Sequence, residues 1–205
     1  MLEVLTSPRT FFQSRTDDAG WLAPVAIVLT VAVVSAVGTV PAFQATTAAL
    51  PADAGSLGAV VQAVSLVTAF ATAFVVWVVY AGVFYAISAV FDGDGDFATL
   101  LKFVGWGYLP AVASAAVTAV VQFTLYSGRD LPSDPEAIAA FSQSVQTDPL
   151  FVAASVFGVV VTVYQGYIWS HAVGVARDLN RREALITAGI PVAISVLFSL
   201  SGFLL

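Results

Sequence analysis

Cysteine is missing from this sequence, and histidine, lysine and methionine each occur only once. Without cysteine the chain has no disulfide, no thiolate nucleophile and no cysteine metal site. Charged residues make up 10% of the chain, far below the roughly one quarter that is usual in soluble proteins. The few basic residues do not form the clusters that a nucleic-acid partner requires. We therefore predict no nucleic-acid partner, and no cofactor.

Apolar residues dominate instead, at 59% of the chain with a mean hydropathy of +0.93. This composition is that of an integral membrane protein, which has the lipid bilayer as a partner. The apolar runs predict an all-α, polytopic bundle in the cell membrane that forms one transmembrane domain over residues 1–205. Its five predicted spans cover about residues 21–43, 57–91, 101–126, 150–176 and 182–205.

The charge balance is acidic, with a sequence pI of about 4.4. Together with abundant alanine, valine and aspartate, this balance resembles proteins of salt-loving archaea, in which carboxylates keep surfaces hydrated. An acidic membrane protein of another origin would have the same composition.

The distribution of the cations predicts the orientation of the bundle. With the N-terminus inside, six of the seven cations face the cytoplasm, which is a strong positive-inside signal. Five spans then leave the C-terminus outside. The six residues are Arg9, Arg15, Lys102, Arg177, Arg181 and Arg182, and the seventh is Arg129.

The leader over residues 1–20 is too polar for a signal peptide and is expected to stay attached. Its apolar residues, which include Phe11 and Phe12, alternate with Arg9 and Arg15. The leader therefore either lies in the membrane interface, with its cations toward the headgroups, or forms a frayed tail.

The stretch over residues 92–110 is a polar reversal that returns directly into the membrane. Asp92, Asp94 and Asp96 alternate with glycine, and Lys102, Trp106 and Tyr108 follow in the order expected at a membrane surface. Pro110 predicts a kink in the third span close to this surface. The aspartate spacing matches the start of a calcium loop, but phenylalanine at 97 and 103 replaces the glycine and glutamate that such a loop needs. We predict a hydrated turn and no metal site.

The fourth span carries small residues at every fourth position. Such a ladder along one helix face lets another backbone approach closely. Its members are Ala154, Gly158, Thr162, Gly166, Ser170 and Gly174, of which Gly158, Gly166, Ser170 and Gly174 are the predicted packing positions. His171 follows Ser170, but neighbours in a helix point about 100° apart. We therefore predict no catalytic residue there.

Two shorter elements are predicted around the fourth span. Within the polar segment over residues 127–149 we predict a short surface helix capped by Ser133 or Asp134, with Ile138, Phe141 and Val145 on one face. Asn180 and Glu183 have the spacing of a capping box at the start of the fifth span.

Four stretches carry a resemblance to a known family. They are SPRTFF at 7–12, DGDGDFATLLKFVGWGYLP at 92–110, YQGYIW at 164–169 and LNRREALITAGIP at 179–191. Together they resemble the Yip-one domain family, whose members are five-span membrane proteins; the eukaryotic ones bind Rab GTPases in vesicle traffic. The sequence has no counterpart of the long cytosolic region with its Asp-Leu-Tyr-Gly-Pro element, so the resemblance does not imply the Rab-binding role.

Two classes of function fit the sequence. The first is a non-enzymatic scaffold or adaptor that recruits a membrane or cytoplasmic protein, or organises lipid, through its cytoplasmic loops. The alternative is a small transporter or channel with a path between the third and fourth spans. We favour the first because no ionisable residue falls in the middle third of any span. A homo-oligomer is compatible with both. The candidate cytoplasmic surface comprises Asp92, Asp94, Asp96, Lys102, Trp106, Tyr108, Pro110, Arg177, Arg181 and Arg182.

Overall fold

A computed structural model of the chain describes residues 2–16, 20–48, 55–129 and 134–201. Within these ranges the chain forms nine helices and no strand. Their bounds are α1 Glu3–Thr6, α2 Pro8–Gln13, α3 Leu22–Ala48, α4 Gly55–Ala89, α5 Phe97–Trp106, α6 Leu109–Tyr126, α7 Pro135–Thr147, α8 Pro149–Ala176 and α9 Arg181–Ser201.

Five of the described helices are long and apolar enough to cross a membrane, namely α3, α4, α6, α8 and α9. The prediction of an all-helical protein with five membrane-spanning helices is therefore confirmed. Helix α4 has 35 residues and would be about 50 Å long, well over the roughly 30 Å of a hydrocarbon core. It runs through Gly82, the expected bend, without a break. The predicted end of the fifth span, 202–205, lies outside the described residues.

The third predicted span differs from the structure, because residues 97–126 form two helices rather than one kinked helix. Helix α5 ends at Trp106, and α6 begins at Leu109 with Pro110 in its first turn. Proline has no N–H to donate to the Trp106 carbonyl four residues earlier, which favours a break at this point. The Tyr108 amide, which would donate to the Val104 carbonyl in a continuous helix, donates to the Gly105 carbonyl at 3.1 Å. The Val104 carbonyl accepts from the indole nitrogen of Trp169 at 3.0 Å.

The spans pack in a closed order. Helix α3 contacts α4 and α6, α6 contacts α8, α8 contacts α9, and α9 contacts α4. Helix α5 lies inside one end of this ring, where it packs on α3, α4 and α8. The glycines on either side of Trp106 make this possible: a Cβ on Gly105 would meet the Trp77 ring at 3.1 Å, and one on Gly107 would collide with the Trp169 ring.

The described part of the leader packs against the bundle and is not a frayed tail, whereas its place in the membrane interface stays a prediction. Its helix α2 packs against α8, and Val4, Phe11 and Phe12 are buried in the main core cluster. The hydroxyl of Tyr164 on α8 donates to the Leu5 carbonyl at 2.6 Å. The leader is thus part of the bundle.

The two shorter predicted elements are present. Asp134 caps α7 by accepting from the Ala137 amide at 3.1 Å, whereas Ser133 lies outside the described residues. At the start of α9 the Asn180 side chain accepts from the Glu183 amide at 3.1 Å, and Glu183 accepts from the Asn180 amide at 3.2 Å.

Candidate interaction surface

Three parts of the chain meet at one end of the bundle, namely the α4–α5 turn (residues 90–96), the α8–α9 turn (residues 177–180) and α2. We call this end of the bundle the cationic end. Arg177 fastens the two turns together and is buried, with 4% of its surface exposed. Its Nε donates to the Ser88 hydroxyl at 2.9 Å, and its two terminal nitrogens donate to the carbonyls of Gly95 and Gly93. The guanidinium carbon lies 4.1 Å from the centre of the Tyr85 ring. Arg177 is therefore an internal clamp, and its predicted place on the surface is corrected.

Backbone geometry completes this junction. The Asp94 amide donates to the Arg177 carbonyl at 3.0 Å. Asp92 has a φ of 55° and Gly95 a φ of 115°, both in the left-handed region that tight turns require. A Cβ on Gly95 would also collide with the Ala176 carbonyl. The glycine–aspartate alternation therefore fits the turn directly against the end of α8.

The three carboxylates of the acidic turn (residues 92–96) remain exposed. The Asp94 side chain accepts from the Gly95 amide at 2.8 Å, and the Asp96 side chain accepts from the Thr99 amide at 2.9 Å. The hydrogen bonds from Thr99 hold the pKa of Asp96 below its ordinary value of 3.8. The Arg177 guanidinium donates to backbone carbonyls rather than to these carboxylates. The side chains of Asp92, Asp94 and Asp96 therefore remain available to a partner.

The other predicted cations of this surface are accessible. Lys102 is half-buried, with its Nζ 4.9 Å from the centre of the Trp21 ring. Arg181 and Arg182 are exposed at the start of α9. These three side chains lie at the cationic end. Among the described residues, none of them forms a hydrogen bond or an ion pair with a carboxylate of the acidic turn.

Two aromatic residues of the predicted surface lie in the core instead. Trp106 and Tyr108 are only 7% and 6% exposed. The Trp106 ring packs edge-on against Phe11 with 4.8 Å between ring centres, and Tyr108 packs on Trp169 at 5.4 Å. The break between α5 and α6 turns both side chains inward, so their predicted interfacial position is corrected. Pro110, at the break, is half-buried.

Sequence reasoning missed the residues that support this end from within. Phe12 packs on Phe103 with 4.8 Å between ring centres, and the Ser88 hydroxyl receives Arg177. Pro8 opens α2 and is itself buried, so a proline followed at the next turn by two phenylalanines was a usable signal for a docked helix. Nothing in the sequence singled out Ser88.

The small-residue ladder of α8 faces α9 over part of its length. A Cβ on Gly166 would lie 3.0 Å from both methyl carbons of Val192. A Cβ on Gly174 would lie 3.2 Å from the Ala184 Cβ. These distances are tighter than ordinary contacts, so the missing side chains allow α8 and α9 to pack closely.

The remaining packing positions differ from these two. Gly158 faces α6, where an added Cβ would lie 3.5 Å from the Ser114 hydroxyl, an ordinary contact. Ser170 is buried, and its hydroxyl donates to the Tyr167 carbonyl of its own helix at 2.7 Å. The ladder is therefore divided between two neighbouring helices.

A cleft of about 460 Å³ opens at the cationic end between α2, α8 and α9. Three basic side chains from separate helices line it, namely Arg9, His171 and Arg181. We call it the basic cleft.

Two crevices lie toward the opposite end along α6 and α8, and α3 also lines the smaller one. Their volumes are about 560 and 420 Å³. The side-chain carbonyl oxygen of Gln122 is buried there without a hydrogen-bond partner among the described residues. About one helical turn beyond the two crevices, the buried side chains of Tyr108 and Trp169 pack against each other in the interior of the bundle. The polar side chains that line both crevices are Ser114, Thr118, Gln122 and Thr162.

Taken together, the helices and these sites define a multi-pass α-helical membrane protein. The family model of the Yip1 domain matches residues 2–203, nearly the whole chain, and the chain therefore belongs to the Yip1 domain family.

One curated relative is an uncharacterised protein of Methanocaldococcus jannaschii. It is 27% identical over 124 residues, which are 60% of this chain and 88% of that protein. No solved structure matches the chain significantly. Since this relative comes from a methanogen, a halophilic source stays a prediction from composition.

Proposed function

We propose that the protein is a non-enzymatic scaffold or adaptor that recruits a partner through the acidic turn at the cationic end. The observation that carries this proposal is that the backbone of the acidic turn is held in place while its three carboxylates stay exposed. Arg177 holds the turn through the carbonyls of Gly93 and Gly95, and in the described part of the chain it forms no ion pair with the three aspartates. Three exposed carboxylates are thereby presented at fixed positions.

The partner that suits this turn is a protein with a basic segment. Opposite charge steers the encounter and fixes the register of two surfaces, and preorganised groups lose little conformational freedom on binding. We place this end in the cytoplasm, as the distribution of the cations predicts.

The proposal can be tested by removing charge without changing the turn. Asparagine can keep the cap made by Asp96 and tolerates the left-handed backbone at Asp92. We therefore expect the triple variant Asp92→Asn, Asp94→Asn, Asp96→Asn to fold normally and to lose its partner. A single cysteine in place of the exposed Ala98, crosslinked in native membranes, reports the partner as a discrete adduct that disappears in the triple variant.

A matched control lies at the opposite end of the bundle. Asp134, Glu136 and Asp148 also supply three carboxylates, two of which cap helices. The variant Asp134→Asn, Glu136→Gln, Asp148→Asn removes the same charge and should leave the adduct intact. If the adduct survives in the acidic-turn variant, or is lost equally in both triple variants, the acidic turn is not the recruiting surface.

A small transporter is the second candidate, and the polar crevices between α6 and α8 are the observation in its favour. Their hydroxyl and amide lining resembles a path for an uncharged polar solute. We prefer the adaptor because buried Tyr108 and Trp169 lie beyond the crevices and because, in the part of the chain that the structure describes, no ionisable residue lines either crevice.

A further inference from the structure

The basic cleft is built by three parts of the chain that are far apart in sequence. Helix α2 contributes Arg9, α8 contributes His171, and α9 contributes Arg181. All three side chains line this one cleft, so they face a common space. Phe11 and Phe12 anchor α2 in the core, which fixes the backbone that carries Arg9.

Among the described residues, Arg9 and Arg181 resemble Arg182 and differ from Arg15, Lys102, Arg129 and Arg177 in making no side-chain hydrogen bond or ring contact. Arg15 and Arg129, by contrast, lie over the Phe11 and Phe141 rings. The cleft thus holds two cations whose donors are available to a ligand.

The walls of the cleft suggest what kind of anion it takes. Tyr167 and Leu185 line it and are each 48% exposed, and Ile186 continues this apolar surface beneath Arg181. A group of cations that adjoins exposed apolar side chains at the end of membrane-spanning helices matches a molecule with an anionic head and a hydrocarbon tail.

One acidic residue lines the same cleft. Asp178 has a carboxylate that can only accept hydrogen bonds when it is ionised. A ligand that combines a phosphate with hydroxyl donors would satisfy Asp178 and the arginines together, whereas bare phosphate would meet repulsion from Asp178.

We propose that the basic cleft binds the headgroup of an anionic phospholipid, with the phosphate between Arg9 and Arg181 and the acyl chains along Leu185 and Ile186. Arginine is suited to this role because its planar guanidinium can bind phosphate through two donors. The inference goes beyond the adaptor role, since it concerns a different set of side chains and does not require a protein partner.

The test uses the full chain purified in detergent and native mass spectrometry. Phosphatidylglycerol, which has a phosphodiester and a glycerol headgroup, is titrated against phosphatidylcholine with the same acyl chains. We expect phosphatidylglycerol to bind more tightly, and Arg9→Gln with Arg181→Gln to weaken its binding about tenfold or more, because two charge-assisted contacts are lost. Binding of phosphatidylcholine should not change.

The matched control is Lys102→Gln with Arg129→Gln, which removes two charges that line neither the basic cleft nor the adjoining surface of Leu185 and Ile186. It should keep the preference for phosphatidylglycerol. Equal weakening in both double variants, or equal binding of the two lipids by the wild type, overturns the proposal, since diffuse charge would then explain the data. Gel filtration and thermal melting of all variants establish that the fold is intact.

A further arm separates a lipid from a soluble ligand. Inorganic phosphate is added to the complex with phosphatidylglycerol at millimolar concentration. Retention of the lipid supports a lipid headgroup as the ligand. Displacement by phosphate at concentrations similar to that of the lipid shows that the acyl chains add nothing, and it overturns the assignment to lipid.

Discussion

Arg177 joins the α8–α9 turn to the α4–α5 turn and to the end of α4, where Ser88 lies 89 positions away in the sequence. A buried guanidinium is tolerated only when its donors are satisfied. Here a hydroxyl and two carbonyls receive them, and the face of the Tyr85 ring adds a cation–π contact. The carbonyls of Gly93 and Gly95 are in turn satisfied by the arginine, so each side of the contact requires the other.

We expect Arg177→Lys to destabilise the protein by about 1 to 3 kcal/mol, because a single ammonium group cannot replace a planar fork that reaches three acceptors. Thermal melting in detergent measures the change. The substitution keeps the charge, so the loss reports on geometry.

The control for this prediction is Arg181→Lys, because Arg181 is exposed and makes no hydrogen bond among the described residues. It should leave the melting temperature unchanged. If Arg177→Lys also melts like the wild type, the clamp does not stabilise the bundle.

At the scale of residues, the sequence placed the acidic turn and the α8–α9 turn at one end of the bundle but did not indicate how their side chains face. The contacts of Arg177 with Gly93 and Gly95 join these two turns, while their role as an interaction surface stays a prediction. Whether Arg177 points outward depends on where the carbonyls of a left-handed turn lie, which no local pattern records. Trp106 and Tyr108 followed the rule for interfacial aromatics, yet the break beside them turned both inward.

At the scale of helices, the predicted fourth span agrees closely with α8, because a long apolar run between a capped start and a charged turn leaves few alternatives. The break between α5 and α6 was harder to predict from the sequence. Proline at 110 indicated a disturbance, but two separate helices also depend on Trp169 satisfying the Val104 carbonyl from 65 residues away. The docking of the leader likewise depends on a groove that other helices build.

The contact between α8 and α9 yields a prediction at the same scale. Gly166→Leu would force a side chain into the Val192 methyl groups, and overpacking of this kind typically costs about 1 to 3 kcal/mol. We expect a lower melting temperature in detergent and a weakened α8–α9 contact.

Gly189 supplies the matched control, since it lies on α9 in a position where an added Cβ would meet nothing within 4 Å. Gly189→Leu makes the same chemical change in a membrane-spanning helix and should be nearly neutral. Equal melting of the two variants would show that the close approach at Gly166 does not matter for stability.

The molecule as a whole is asymmetric along the membrane normal. One end is packed with aromatic side chains around α5 and carries all the described lysine and arginine residues except Arg129. The other end contains the polar crevices and the surface helix α7. Helix α8 has 28 residues and separates the two ends by about 42 Å. Composition and charge distribution predicted this asymmetry, but not the basic cleft, because its three basic side chains come from three separate helices.

The final prediction concerns the orientation of this asymmetric molecule. If the cationic end is cytoplasmic, a thiol at position 94 is accessible only from inside, and one at position 140 only from outside. Because the chain has no cysteine, Asp94→Cys and Ala140→Cys each create a single labelling site, and both positions are exposed. A membrane-impermeant maleimide applied to intact cells should label only the second variant. Permeabilised cells provide the control, since both variants should then be labelled. Labelling of position 94 alone in intact cells would reverse the orientation and place the acidic turn and the basic cleft outside, where the proposed cytoplasmic partner could not reach them.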